Sequence, residues 1–216
     1  NYFEPYKIFD VNGIKVGVIG LDTPETITKA NPALMQNVTF AAGEELYALV
    51  QGYVDELKAA ECSLVVVLGH LGVEDESAGN RSFDVINNTT GIDLFIDGHS
   101  HVVLNEQVEQ KHDEGAEDIP TTLLVSTGSQ GQNLGEVVYD GESLSAALIP
   151  ASPAQTTAAY GDAEVSELVN GINEEIDSQL SATFAKTDVL LNGERAPGVR
   201  TEETNLGDFC TDAMLW

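Results

Sequence analysis

The chain has 216 residues, of which 42% are hydrophobic, and this length suffices for one sizeable core. No run approaches the ~18 consecutive apolar residues of a membrane span. Nine Lys and Arg face 36 Asp and Glu, and the net charge of −27 argues against nucleic acid or an anionic membrane surface as a partner. A phosphorylated molecule would also be repelled unless bound cations and a few arginines supplied local positive charge.

The first predicted elements are two strands in a hairpin. Apolar residues dominate positions 7–11 and 14–21, and the intervening Asn12 and Gly13 form the strongest short-range hairpin signal in the chain. We therefore expect two antiparallel strands joined by a tight turn.

Helices and strands alternate in the next part of the chain. Apolar residues recur at helical spacing over residues 43–60, which predicts an amphipathic helix packed on a strand at residues 63–68. A shorter helix at residues 82–88 precedes an apolar strand at residues 93–97. This order predicts an α/β fold with helices on the faces of a sheet.

Three short strands, at residues 121–126, 136–139 and 144–149, predict a β-meander in the following part. Residues 106–119 are polar and acidic and predict an excursion on the surface. His112 lies among its charges, and we do not assign it to a metal.

A linker and a long helix follow. Residues 150–161 are rich in Ala, Thr and Pro, which is typical of a linker. Residues 162–180 carry an apolar stripe, and Asp162 can cap the start of this helix. The two cysteines, Cys62 and Cys210, lack the spacing of a metal knuckle and are predicted to be small buried residues.

Three of the four histidines follow apolar strands. His70 follows the apolar strand at residues 63–68, and His99 and His101 follow the strand at 93–97, each beside or close to a glycine. Strand ends in α/β sheets converge on a shared crevice, and neutral imidazole is a common ligand of divalent ions. A single histidine of this kind more often only closes a strand, but three together predict half of a metal centre.

The histidine motifs carry a resemblance to a known family. Residues 68–72 (LGHLG) and 98–101 (GHSH) resemble two motifs of the calcineurin-like metallophosphoesterases, in their 5'-nucleotidase branch. Residues 200–214 (RTEETNLGDFCTDAM) resemble the opening of that branch's C-terminal domain, and residues 5–25 are similar to the middle of its first domain. The resemblance implies an α/β fold that is part of a four-layer αββα sandwich, followed by a linker helix and an α/β C-terminal domain.

The resemblance also implies a division of the chain. Residues 1–150 would be the C-terminal half of the metallophosphoesterase domain, 151–184 the linker and connecting helix, and 185–216 the start of the substrate-binding domain. The family's earlier motifs, an Asp-x-His, a bridging Asp and an Asn-His pair, are not found in the sequence. We therefore expect an internal fragment of a longer protein, inactive by itself, with no catalytic residue to assign.

The metal ligands implied by the resemblance are the three histidines. His70 and His99 would bind one divalent ion and His101 a second, and Mn, Zn, Fe, Co or Mg would suit such a site. Asp97, just before Gly98, could orient His99 through a hydrogen bond, or could simply be a polar residue at a strand end.

Two arginines are implied as ligands of the substrate phosphate. Arg200 matches a phosphate-facing arginine of the family, and Arg195 is a possible partner at a less regular spacing. A guanidinium can grip phosphate through two parallel hydrogen bonds. The alternative is that both are solvated loop residues.

The implied activity is release of phosphate from nucleotides by metal-activated water in an exported protein, whether extracellular, periplasmic or in the cell envelope. The alternatives are a metal-binding module without catalysis, a 2',3'-cyclic phosphodiesterase, a UDP-sugar hydrolase, or a sulfur-ester hydrolase of the same superfamily.

Overall fold

The computed structural model describes residues 4–31, 33–151, 161–183 and 185–216, and the chain divides into two units, Asn1–Thr156 and Thr157–Trp216. The first unit contains strands β1 (Tyr6–Val11), β2 (Ile14–Asp22), β3 (Leu64–His70), β4 (Leu94–Ile96), β5 (Val103–Glu109), β6 (Thr121–Thr127), β7 (Asn133–Tyr139) and β8 (Leu144–Pro150), with helices α1 (Thr26–Lys29), α2 (Glu44–Ala59) and α3 (Ser82–Asn88). The second contains helices α4 (Ala163–Leu180) and α5 (Asn205–Leu215). None of the described helices combines the length and apolar character needed to cross a bilayer.

The main sheet has six strands in the order β1-β2-β3-β4-β6-β5. The four central strands run parallel, and β1 and β5 pair antiparallel at the two edges. Three consecutive valines of β3, Val65 to Val67, are buried, as expected for a parallel strand covered on both faces. The predicted α/β class is confirmed.

The N-terminal hairpin forms as predicted. Asn12 and Gly13 both have positive φ, at 54° and 86°, as a type I′ turn between twisted antiparallel strands requires. The N–H of Gly13 donates to Asp10 Oδ1 at 2.8 Å, which fixes the turn and the register of β1 on β2.

Helix α2 covers one face of the sheet. Its apolar positions recur every three or four residues, so one stripe meets the strands. Gly17 of β2 leaves room for this contact, because a Cβ there would lie 2.6 Å from the Leu57 side chain. This core combines Leu46, Val50, Val54 and Leu57 of the helix with Ile19, Val65, Val67 and Phe95 of the sheet.

The opposite face is covered by a hairpin, not by a three-stranded meander. Strand β6 lies inside the main sheet, parallel to β4, while β7 and β8 form a separate two-stranded sheet. The predicted meander is wrong because residues 122–126 are buried in succession, which suits a strand covered on both faces rather than the end of a meander. The hairpin packs on Val66, Leu94, Leu123 and Val125 through Val137, Leu144 and Ala146.

Strand β5 occupies part of the predicted surface excursion. It pairs antiparallel with β6 from Val103↔Thr127 to Glu109↔Thr121. Most of its side chains are exposed, so an edge ladder forms where polarity alone predicted a loop. Beyond it, buried Gln110 donates to the carbonyl of Ile92 at 2.7 Å, and His112 Nδ1 contacts the Gln110 carbonyl at 2.8 Å.

The second unit confirms the long helix. Asp162 caps α4 by accepting a hydrogen bond from the Val165 N–H at 3.0 Å. The predicted linker at 150–161 lies largely outside the described residues, and the three-part division of the chain stays a prediction. Of the two cysteines, Cys62 is buried as predicted, whereas Cys210 is exposed, and α5, on which it lies, has no buried residue.

The start of α3 depends on the Asp84 carboxylate. It accepts hydrogen bonds from the Gly79 and Arg81 N–H groups at 2.8 and 3.0 Å and from the Arg81 guanidinium at 3.0 Å. Burial alone would raise the pKa of Asp84, but these hydrogen bonds outweigh it and lower the pKa below its usual 3.8. The ionised carboxylate therefore holds the connection between β3 and α3.

We expect Asp84→Asn to lower the free energy of unfolding by about 1–2 kcal/mol at neutral pH, as other lost helix caps do. Because folding lowers the pKa, the stabilisation is present above about 3.8 and is lost as the pH falls through the folded-state pKa. Urea denaturation at pH 7 and near pH 3 should show the difference shrinking in acid. Asp75→Asn, at the exposed partner of Arg81, is the control and should cost less than about 0.5 kcal/mol. An undiminished effect of Asp84→Asn in acid would contradict a role for the charge.

Candidate metal centre

The carboxyl ends of β2, β3 and β4 meet at one edge of the sheet. Parallel pairing places Asp22, the last residue of β2, beside His70, the last residue of β3. Strand β4 runs parallel to β3 in the next position, so the turn that carries His99 leaves the sheet at this edge. The loop after β2 arrives at the same place.

His70 and His99 are brought together at this edge. His99 Nδ1 lies 3.2 Å from His70 Nε2, and the ring centroids are 4.9 Å apart with planes inclined at 67°. Two imidazole nitrogens on one tetrahedral zinc, each at about 2.0–2.1 Å, would be about 3.3 Å apart. The pair therefore fits two ligands of a shared divalent ion.

The turn after β4 is held in an unusual backbone conformation. His99 and His101 have φ values of 77° and 57°, a region costly for residues other than glycine. Ser100, between them, accepts a hydrogen bond at Oγ from the Val73 N–H at 2.9 Å. This contact ties the turn to the loop that follows β3, so the surrounding structure maintains the strained conformation.

Two glycines make room for the close approach of the loops. A Cβ at Gly69 would lie 2.5 Å from the Phe95 ring, and one at Gly72, whose φ is 83°, would lie 2.8 Å from Ser100 Oγ. The glycines in the LGHLG motif thus allow the two histidine segments to pack together.

Asp97 braces the loop after β3. Its carboxylate accepts hydrogen bonds from the N–H groups of Leu71 and Gly72 at 2.9 and 3.0 Å and from the Ser82 hydroxyl. The sequence left open whether Asp97 orients His99 or is simply a polar residue at a strand end. Among the described residues, the carboxylate beside the His99 ring belongs instead to Glu25.

Glu25 is the residue that sequence reasoning missed. It follows β2 at the start of α1, and its Oε2 lies 3.4 Å from His99 Nε2 and 2.6 Å from Lys29 Nζ. Its Oε1 accepts a hydrogen bond from the Ser77 hydroxyl. Burial raises the pKa of Glu25, but the hydrogen bonds from Lys29, Ser77 and His99 outweigh it and lower the pKa to about 2. The sequence showed that Glu25 follows a strand, but it did not show that this strand pairs parallel with β3.

Of the remaining predicted site residues, His101 lies in the first unit, and Arg195 and Arg200 lie in the second. His101 is exposed, and the described residues contain no group of three or more side chains able to hold a metal. Arg200 is exposed in the second unit, just after a π-helical turn that begins at Arg195. The roles of His101, Arg195 and Arg200 stay predictions.

Comparison with known proteins gives relatives along the whole chain, although no family model matches it. The trifunctional nucleotide phosphoesterase protein YfkN of Bacillus subtilis is 28% identical over 98% of this chain and 14% of its own length. The 5'-nucleotidase of Rattus norvegicus is 25% identical over 99% of this chain and 37% of its own. The snake venom 5'-nucleotidase of Crotalus adamanteus is 25% identical over 100% of this chain and 36% of its own. The chain thus spans well under half the length of these curated relatives.

A solved structure supports the same relationship at the level of the fold. The crystal structure of the calcineurin-like phosphoesterase YfkN matches 84% of this chain and 60% of that one, with a TM-score of 0.57 and 21% identity. The sequence relatives, this fold and the two histidine motifs at one sheet edge agree. The chain is similar to nucleotide phosphoesterases and 5'-nucleotidases along almost its whole length, and its fold is similar to that of a calcineurin-like phosphoesterase.

Proposed function

We propose that the protein containing this chain is a metal-dependent phosphoric ester hydrolase that releases phosphate from nucleotides. The observation that carries the proposal is the His70 and His99 pair, whose facing nitrogens lie 3.2 Å apart at the carboxyl edge of the sheet. Relatives named as nucleotide phosphoesterase and 5'-nucleotidase support the substrate class.

Two divalent ions would be the cofactors. His70 Nε2 and His99 Nδ1 would hold one ion, and His101 would contribute to the second. Such ions, when bound, supply positive charge to the phosphate ester and activate water as the nucleophile. Imidazole accommodates Mn, Zn, Fe or Co, and a carboxylate-rich partner set would also admit Mg. Two protein ligands are fewer than a divalent ion requires. The proposed ion therefore needs further ligands in addition to His70 and His99.

The chain's own residues prepare the site by fixing the histidine segments. Asp97 holds the loop after β3 through two backbone N–H groups, and Ser100 joins that loop to the His99 turn. Because the ligating side chains are held in place beforehand, less conformational entropy is lost when a metal ion binds.

Charge supports a contact between Arg200 and the substrate phosphate. The net charge of −27 opposes the approach of a phosphate ester, so binding needs local cations. We propose Arg200 as a ligand of the phosphate and Arg195 as its partner, because arginine can form two parallel hydrogen bonds to phosphate. The similarity to a snake venom 5'-nucleotidase supports an extracellular or otherwise exported location.

We expect His70→Ala and His99→Ala each to weaken Zn²⁺ or Co²⁺ binding by at least about 100-fold, since even indirect partners of ligands contribute 10-fold to 100-fold. Isothermal titration of the chain measures this directly. His112→Ala is the matched control, because His112 contacts the Gln110 carbonyl instead, and it should bind within about twofold of the parent. Equal affinities for all three variants would contradict the metal site.

Phosphate release from AMP with added Mn²⁺ tests the activity. This phosphate release is assayed on the chain and on the longer protein of which we expect the chain to be part. Chelation should abolish turnover, and Arg200→Ala should lower kcat/KM by about 10-fold to 100-fold, the effect of one or two charged hydrogen bonds. Lys111→Ala, at another exposed cation, is the control. Metal binding without AMP turnover would redirect the search to cyclic phosphodiesters, nucleotide sugars or sulfur esters, or indicate a non-catalytic module.

A further inference from the structure

The two ring nitrogens of His99 face different partners. Nδ1 faces His70 Nε2 at 3.2 Å, and Nε2 faces Glu25 Oε2 at 3.4 Å. A neutral imidazole carries one N–H and one lone pair, and an ionised carboxylate only accepts hydrogen bonds. The proton of His99 therefore belongs on Nε2, toward Glu25, which leaves the lone pair on Nδ1.

We propose that Glu25 is a positioning residue that fixes the orientation and tautomer of His99 so that Nδ1 can bind the metal. The inference rests on the proposed metal site. Hydrogen bonds from ligating histidines to carboxylates are a general means of raising ligand basicity and fixing the ring. Here the partner comes from the loop after β2, far from both histidines in sequence.

The Glu25 carboxylate is itself fixed in place. Ser77 donates to Oε1 and Lys29 donates to Oε2 at 2.6 Å, and the Glu25 side chain is only 15% exposed. Ser77 lies in the short turn Asp75–Ser77 that follows β3. Glu25 therefore connects the segments after β2, β3 and β4, and its position does not depend on a single contact.

A competing role for Glu25 is neutralisation of Lys29. An unpaired ammonium near His99 would repel a divalent ion, so removing Glu25 could weaken metal binding without any effect on the ring. Lys29 also pairs with Glu76 at 2.6 Å, and the Glu76 side chain is 69% exposed. These neighbours provide the variants that separate the two roles.

Zn²⁺ affinity is measured by titration of the whole chain for the parent, Glu25→Gln, Lys29→Met, the double variant Glu25→Gln with Lys29→Met, and Glu76→Gln. We expect Glu25→Gln to bind about 10-fold to 100-fold more weakly, and the double variant to stay weak. Lys29→Met and Glu76→Gln should bind within about threefold of the parent. Recovery of the parent affinity in the double variant would show that Glu25 only balances the Lys29 charge, and would overturn the proposal.

A spectroscopic measurement on the metal-free chain tests the hydrogen bond independently of affinity. Nitrogen-15 NMR at slightly alkaline pH should show the His99 proton on Nε2, with slow exchange in the parent and fast exchange in Glu25→Ala. Unchanged exchange in Glu25→Ala, in a chain with normal amide spectra, would overturn the proposal.

The outcome with His70→Ala separates this inference from the function it rests on. If His70→Ala does not weaken Zn²⁺ binding, the metal site fails, and the proposal fails with it. If His70→Ala weakens binding and Glu25→Gln does not, the metal site stands and only the role of Glu25 is overturned.

Discussion

The parallel pairing of β2, β3 and β4 is the constraint on which the rest of the site depends. Register alone places Asp22 beside His70, and β4 brings His99 out of the sheet next to them. Asp22 and His70 are 48 positions apart in sequence and His70 and His99 are 29 apart, yet all three lie at one edge. The cores on both faces hold this arrangement, because the strands can shift register only by exposing apolar side chains.

The loops at that edge hold a strained backbone conformation, which lowers stability but fixes the geometry of the site. His99 and His101 adopt positive φ, a conformation that costs on the order of 1–3 kcal/mol per residue when not glycine. Buried Asp97 and Ser100 offset this cost by accepting hydrogen bonds from backbone N–H groups of the loop after β3. The buried Ser82 hydroxyl donates to Asp97 and helps to hold its carboxylate in place. Such local strain is typical of functional sites that need a fixed ligand geometry.

Much of the fold could be predicted because its signals are local. The Asn12-Gly13 turn, the periodic α2 and the apolar β3 each carry their pattern within a short window. The position of β6 could not be predicted this way, because the strands with which it pairs depend on burial on both faces of the sheet. The polar strand β5 was missed for a related reason, because edge pairing uses backbone groups that every sequence offers.

The site could be predicted in part. The histidines were visible because three of them follow apolar strands, and the structure brings His70 and His99 together. Glu25 was not distinguishable among 36 acidic residues. The role of Glu25 depends on the parallel pairing of β2 with β3, and no local sequence pattern reveals that pairing.

The most direct test of the metal centre is a crystal structure of the chain soaked with Mn²⁺ or Zn²⁺, with anomalous diffraction recorded at the absorption edge of the metal. We expect an anomalous peak bonded to both His70 Nε2 and His99 Nδ1. A peak elsewhere, with the two rings still in contact and no metal between them, would contradict the proposed metal centre.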